Sequence, residues 1–92
     1  MEDKFLAIIH RVNSKRSMYA AYRMIEHIST PVLMSSGMEL AYRTIQLYTS
    51  NKTLRADYNS QLANQIDGAL EARGVNTDTL RGKIEEGIRL IE

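Results

Sequence analysis

The stretch of sequence that decides the fold is residues 36–48, SGMELAYRTIQLY. Ser36 precedes Glu39 by three residues, a spacing typical of a capping box, in which each side chain bonds the backbone N–H of the other residue. We therefore predict that a helix begins at Ser36. Five apolar residues recur in it at the 3.6-residue period of a helix and form its predicted core face. They are Met38, Ala41, Tyr42, Ile45 and Tyr48.

The same helix is also apolar on its opposite side. Leu40 and Leu47 lie about 180° from Met38 on a helical wheel that turns about 100° per residue. A helix with two apolar sides must be covered on both. Residues 38–48 are therefore either the central helix of a bundle or part of a surface that binds a partner.

Three more apolar residues precede this helix in a predicted connection, where solvent-facing side chains are usually polar. Together with the second apolar side of the helix, they predict a partner or oligomer interface of five residues. These are Val32, Leu33, Met34, Leu40 and Leu47.

Helical periodicity continues outward in both directions, and no segment has the pattern of a strand. The predicted helices are residues 3–13, 16–29, 36–49, 54–73 and 77–91. Whether the first two are one continuous helix stays open, although Ser14 or Ser17 could cap a break between them.

Helix ends are marked by proline, glycine and capping residues. Pro31 disfavours helical geometry in the residue before it, so the second helix should end near Ser29. Gly74 can adopt the left-handed conformation that ends the fourth helix. Asn76 or Thr77 is expected to cap the last helix.

Length and composition predict one compact domain. A chain of 92 residues holds one hydrophobic core, and its 43% hydrophobic and 25% charged residues are ordinary for a globular protein. We expect an all-α fold, a compact bundle of four to five antiparallel helices. Because the sequence has neither a signal peptide pattern nor an apolar run of about 20 residues, we expect a cytoplasmic protein without a membrane span.

Two segments of the chain echo each other. Residues 18–25, MYAAYRMI, and residues 38–45, MELAYRTI, share Met, Ala, Tyr, Arg and Ile at matching positions. A duplicated helical unit would supply two similar packing faces. A chance echo between two helical sequences is the other interpretation, and both stay open.

The sequence contains no recognisable set of catalytic residues. A hydrolase or transferase needs a nucleophile, a base and a group that orients the base, and the chain has no cysteine and only two histidines, His10 and His27. The histidines lack the i, i+4 spacing of helical metal sites. We predict no enzymatic activity, no metal and no cofactor.

Charge is unevenly distributed along the chain. Residues 1–55 carry eight Lys or Arg against four acids, whereas residues 56–92 carry four against seven. The basic half could contact an anion or a nucleic acid, or its helices could pack on acidic helices of the same bundle. The candidate contact residues are Lys15, Arg16, Tyr19, Arg23, Arg43, Lys52 and Arg55.

These patterns lead to three functional hypotheses. The first is a small non-enzymatic protein-binding module, an adaptor or inhibitor that acts on a larger protein through an apolar helical surface, as a homo-oligomer and preferably a dimer. The alternative is a nucleic-acid-binding regulator that uses the basic half. A more distant alternative is a binder of a small anionic ligand or nucleotide, framed by Tyr22-Arg23 and Tyr42-Arg43.

Overall fold

Helices account for most of the residues that the computed structural model describes, which are 2–56 and 61–92. These two ranges contain no strand, which confirms the all-α fold. None of their helices combines the length and apolar character needed to cross a membrane. The elements are α1 (Glu2–His10), α2 (Lys15–Met24) with a 3₁₀ turn (Ile25–His27), α3 (Thr30–Ser50), α4 (Lys52–Ala56), α5 (Gln61–Ala72) and α6 (Leu80–Ile91).

The first two helices are separate, because a capping box interrupts the chain between them. Ser14 has extended backbone, and its Oγ accepts the Ser17 N–H at 3.2 Å. The Ser17 Oγ accepts the Ser14 N–H at 3.0 Å. The question that the sequence left open is thus resolved, and both serines take part in the cap.

The third helix begins at Thr30, so the predicted start at Ser36 is wrong. Ser29 is the N-cap, and Pro31 lies in the first turn, where its missing N–H removes no helical hydrogen bond. The Ser36 hydroxyl instead donates to the carbonyl of Val32, one turn earlier. The apolar residues 32–34 therefore belong to the first turns of α3 and not to a connection.

Helix α3 is the central helix of the bundle, and α1, α4, α5 and α6 all pack against it. Its core face is the one that contains Leu40, whereas Met38 and Tyr42 are exposed. The predicted core face is therefore wrong for these two residues. The buried residues of α3 are Leu33, Ser36, Gly37, Leu40, Ala41, Thr44 and Tyr48.

The predicted helix 54–73 corresponds to α4 and α5, and residues 57–60 between them lie outside the described residues. Gly74 ends α5 with a φ of +88°, which confirms its predicted role. The Val75 N–H then donates to the Leu70 carbonyl at 3.0 Å, and Val75 is buried. A Cβ atom at Gly37 would lie 3.3 Å from Val75 Cγ1, so this glycine lets α3 approach the end of α5 closely.

The last helix begins at Leu80 and is capped from another helix. The Asp67 carboxylate of α5 accepts the Leu80 N–H at 3.0 Å and the hydroxyl of the buried Thr77. The prediction that Asn76 or Thr77 caps the helix is therefore wrong. Asp78 and Thr79, which precede α6, have φ of 49° and 58°, a conformation that costs about 1–3 kcal/mol for residues other than glycine.

Successive long helices alternate in direction. Val75, in the segment that leads into α6, lies beside Gly37 near the start of α3, and Gly87 in the second half of α6 lies beside Thr49 near the end of α3. Helices α3 and α6 therefore run the same way. The end of α5 lies at the end of α2, where Arg73 donates to carbonyl oxygens, and the starts of these two helices line one groove. The order α2, α3, α5, α6 thus reverses at each step, as an antiparallel bundle requires.

Candidate functional site

An exposed apolar ridge runs along α3. Met34 and Met38 are each 50% exposed, and Tyr42 is 57% exposed. Because they are spaced four residues apart on one helix, the three side chains form a nearly straight line about 12 Å long. We call these three residues the α3 ridge.

The ridge lies between the contacts that α3 makes with α1 and with α5. Helix α1 meets α3 at Arg43, whose guanidinium reaches the His10 carbonyl, about 140° around the helix from Met38. Helix α5 meets α3 at Gly37, about 100° from Met38 in the other direction. Neither contact covers the ridge. Helix α6 meets α3 at Thr49, which is on the same side of α3 as Met38 but about 16 Å further along its axis, so the ridge side chains remain half-exposed.

The charged groups nearest the ridge on α3 are paired with each other. The Arg43 Nε donates to Glu39 Oε1 at 2.9 Å, and both side chains are only partly exposed. Both residues lie on the same flank of the ridge. The ridge itself consists of two thioethers and one phenol, so no net charge stands on it.

The structure separates the five residues of the predicted interface. Leu33 and Leu40 are fully buried, and Val32 and Leu47 are half-buried against the core. A partner cannot reach Leu33 or Leu40 in the folded chain, so their predicted interface role is wrong. Of the five residues, only Met34 belongs to the α3 ridge. The other two ridge residues, Met38 and Tyr42, were predicted to lie in the core.

Three of the predicted anion-contact residues come together in one groove between the starts of α2 and α5. The groove has a volume of about 540 Å³ and is lined mostly by apolar surface. The lining residues that the structure describes include two cations. They are Lys15, Arg16 and Tyr19 of α2 and Gln61, Leu62 and Gln65 of α5. We call this site the α2–α5 groove.

Two other predicted contact residues bind the chain's own backbone. The Arg43 Nη1 donates to the His10 carbonyl of α1 at 3.3 Å, and the Arg55 Nη1 donates to the Thr49 carbonyl of α3 at 2.5 Å. The last carbonyl groups of a helix have no partner within the helix, and a cation there also interacts favourably with the helix dipole. These two arginines therefore stabilise the ends of helices.

Arg73 has the same role and was missed in the sequence. Its Nη1 donates to the Ile25 carbonyl at 2.7 Å, and its Nη2 donates to the Ile28 carbonyl at 2.8 Å. It joins the end of α5 to the chain leaving α2. No local signal could indicate this contact, because the partners are more than forty positions apart.

The remaining two predicted contact residues, Arg23 and Lys52, are both exposed, and neither of them lines the α2–α5 groove. Arg23 lies in the last turn of α2, and Lys52 begins α4. The structure therefore does not join all seven basic and aromatic candidates into one surface.

The histidines are both exposed, at the end of α1 and in the 3₁₀ turn after α2. Within residues 2–56 and 61–92, no group of three or more His, Cys, Asp or Glu side chains could hold a metal ion.

Comparison with protein-family models, with curated proteins and with solved structures finds no match to this chain. The geometry offers two candidate binding surfaces. The α3 ridge is apolar and uncharged, and the α2–α5 groove combines an apolar floor with two cations.

Proposed function

We propose that this chain is a small non-enzymatic protein-binding module, an adaptor or inhibitor of a larger protein, and that it works as a homodimer in the cytoplasm. The observation that supports the proposal is the α3 ridge. Its three large side chains are half-exposed on the central helix, whereas the opposite side of the helix is buried in the core. The largest apolar patch on a domain is often a functional surface, and the ridge is a candidate for such a patch.

The occupant that we propose for the ridge is a second copy of the chain. An antiparallel pair of α3 helices centred on Met38 places Met34 of each copy against Tyr42 of the other. Sulfur and aromatic rings make favourable contacts. Because the ridge carries no net charge, two copies meet there without repulsion.

The exposed area predicts a weak dimer. Each of the three side chains has a surface of roughly 200 Å², of which about half is exposed. About 300 Å² per copy is therefore available for burial in a dimer. This is small beside the roughly 800 Å² per partner of a standard interface, even when flanking side chains add to it. The total of about 600 Å² is below the roughly 1,000 Å² of a stable interface, so we expect the dimer to dissociate on dilution.

Sedimentation velocity over about 5 µM to about 1 mM tests the proposal. The wild type should shift from monomer to dimer across this range. Met38→Asp should stay monomeric, because each copy would bring a carboxylate to the centre of the pair. Met38 is half-exposed, so this variant should keep its fold, which circular dichroism checks.

Leu90→Asp is the matched control, because Leu90 is also an exposed apolar residue but lies on α6. It should dimerise like the wild type. A wild type that stays monomeric throughout the series, or a Met38→Asp variant that dimerises equally well, would contradict the proposal.

A further inference from the structure

We infer that a groove between α1 and α2 binds a helix of the partner protein, one that presents apolar side chains between acidic residues seven positions apart. The inference rests on the proposed protein-binding function, because it gives the chemistry of the partner. It does not depend on the dimer, since the groove and the α3 ridge share no residue. The described residues that line this α1–α2 groove are Lys4, Ala7, Ile8, Arg11, Ser17 and Ala20.

The shape of the α1–α2 groove suits a helix that lies along it. The groove has a volume of about 310 Å³, and most of its surface is apolar. Ala7, Ser17 and Ala20 are short, so the backbone of a third helix can approach closely over them. Ile8, which is partly buried against the core, adds an aliphatic surface to the floor. Two apolar side chains that are three and four positions along a partner helix from an acidic residue can pack into such a groove.

Positive charges flank this apolar floor in two rows. Lys4 and Arg11 are seven positions apart, which separates them by about 10 Å along the axis of α1. Arg16 and Arg23 have the same spacing on α2, where they lie four positions before and three positions after Ala20. All four of these cations are exposed.

The two rows of charge favour an acidic partner. Residues 4–25 contain five Lys or Arg and no Asp or Glu. Asp3 and Glu26, the acids on either side of this stretch, are not among the described lining residues. In coiled coils, charged residues beside an apolar seam select a partner that carries the opposite charges. A helix with a glutamate every seven positions would bring its carboxylates to the spacing of Lys4 and Arg11.

The groove suits a protein helix better than a nucleic acid. A nucleic-acid strand is held by cations that follow its phosphates and by aromatic rings on which its bases stack. The described lining residues include no aromatic side chain, and an apolar strip separates the cations at the two ends. Phosphates gain nothing from this strip, whereas the apolar side chains of a helix are removed from water when they cover it.

Fluorescence anisotropy with a labelled helical peptide tests the inference. The peptide is built from Ala and Gln and has about 18 residues, a length at which such sequences become partly helical. Every seventh position is Glu, and the third and fourth positions after each Glu are Leu. The peptide should bind the full chain with a dissociation constant below about 1 mM.

A control peptide of the same composition has each Glu moved by two positions. The move places the carboxylates on the opposite side of the helix from the Leu side chains. This peptide should bind about fivefold more weakly, because its charges no longer meet those of the groove.

Variants of the chain locate the binding. Arg11→Glu should weaken it about tenfold, because repulsion replaces attraction. Ala20→Tyr places a ring in the groove and should also weaken binding about tenfold. Lys83→Glu on α6 and Ala72→Tyr on α5 are the matched controls and should bind like the wild type. All four positions are exposed, so the variants should keep the fold, which circular dichroism checks.

The outcomes separate this inference from the proposed dimer. Met38→Asp should keep full peptide binding, and Arg11→Glu should keep the wild-type sedimentation. If the peptide does not bind, if the control peptide binds equally well, or if Arg11→Glu has no effect, the groove inference is wrong while the dimer stands on its own test. Tighter binding of duplex DNA than of the peptide, lost in Arg11→Glu, would overturn the assignment to a protein partner.

Discussion

Residues 18–25 of α2 and its 3₁₀ turn share five residues with residues 38–45 of α3, yet the two segments turn different faces to the core. Met18 is fully buried, whereas its counterpart Met38 is half-exposed. Ala20 is exposed, whereas its counterpart Leu40 is fully buried. The burial pattern is therefore not repeated along with the sequence.

The difference shows that matching residues of two similar segments can differ in burial. Helix α2 has one apolar face, and that face must enter the core. Helix α3 has two, and the side with Leu33 and Leu40 occupies the core, which leaves the Met38 side to solvent. The echoed alanines, Ala21 and Ala41, are buried in both segments because each lies next to the buried face.

The largest contrast is expected between the two methionines. Met18→Ala should lower the free energy of unfolding by about 2–5 kcal/mol, because it opens a cavity in the core. Met38→Ala should change it by less than about 0.5 kcal/mol in dilute protein. Urea titration followed by circular dichroism measures both, and equal losses would show that the two segments are packed alike.

The tyrosines should differ less. Tyr22 is half-buried against the core, so Tyr22→Ala should cost about 1–3 kcal/mol. Tyr42 is 57% exposed, so Tyr42→Ala should leave the stability of the monomer nearly unchanged but weaken dimerisation severalfold. Urea titration and sedimentation velocity separate the two effects. A Tyr42→Ala protein that dimerises normally would remove Tyr42 from the ridge.

The arginines should show the smallest contrast. Arg43 bonds both the Glu39 carboxylate and the His10 carbonyl, so Arg43→Ala should cost about 1 kcal/mol. Arg23 is exposed in the last turn of α2, and Arg23→Ala should cost less than about 0.5 kcal/mol. Thermal unfolding of the two variants ranks them. Equal melting temperatures would argue against a structural role for Arg43.

Local chemistry made much of the fold predictable. The end of α5 at Gly74 follows from left-handed geometry, which depends on a few neighbouring residues. Ser14 and Ser17 are recognisable as capping residues, but the sequence leaves open whether the helix breaks there. The prediction of where α3 begins was wrong because two sequence signals conflicted. Ser36 and Glu39 have the spacing of a capping box, but a proline in the first turn allowed the helix to begin six residues earlier.

The candidate surfaces needed the tertiary structure. Periodicity alone shows that α3 is apolar on two sides, but only the packing of α1, α5 and α6 decides that Leu40 enters the core and Met38 does not. The α2–α5 groove joins residues about 45 positions apart, and Asp67 caps Leu80 from another helix. Contacts of this kind leave no periodic or local trace in the sequence.

Solvent accessibility of the methionine methyl groups, measured by NMR on protein labelled with ¹³C at these methyls, tests the orientation of α3 most directly. With a soluble gadolinium chelate in dilute protein, the methyls of Met34 and Met38 should relax strongly and that of Met18 should not. At concentrations that favour the dimer, Met34 and Met38 should become protected. A Met18 methyl that relaxes as fast as that of Met38, or a ridge whose accessibility does not change with concentration, would contradict the account.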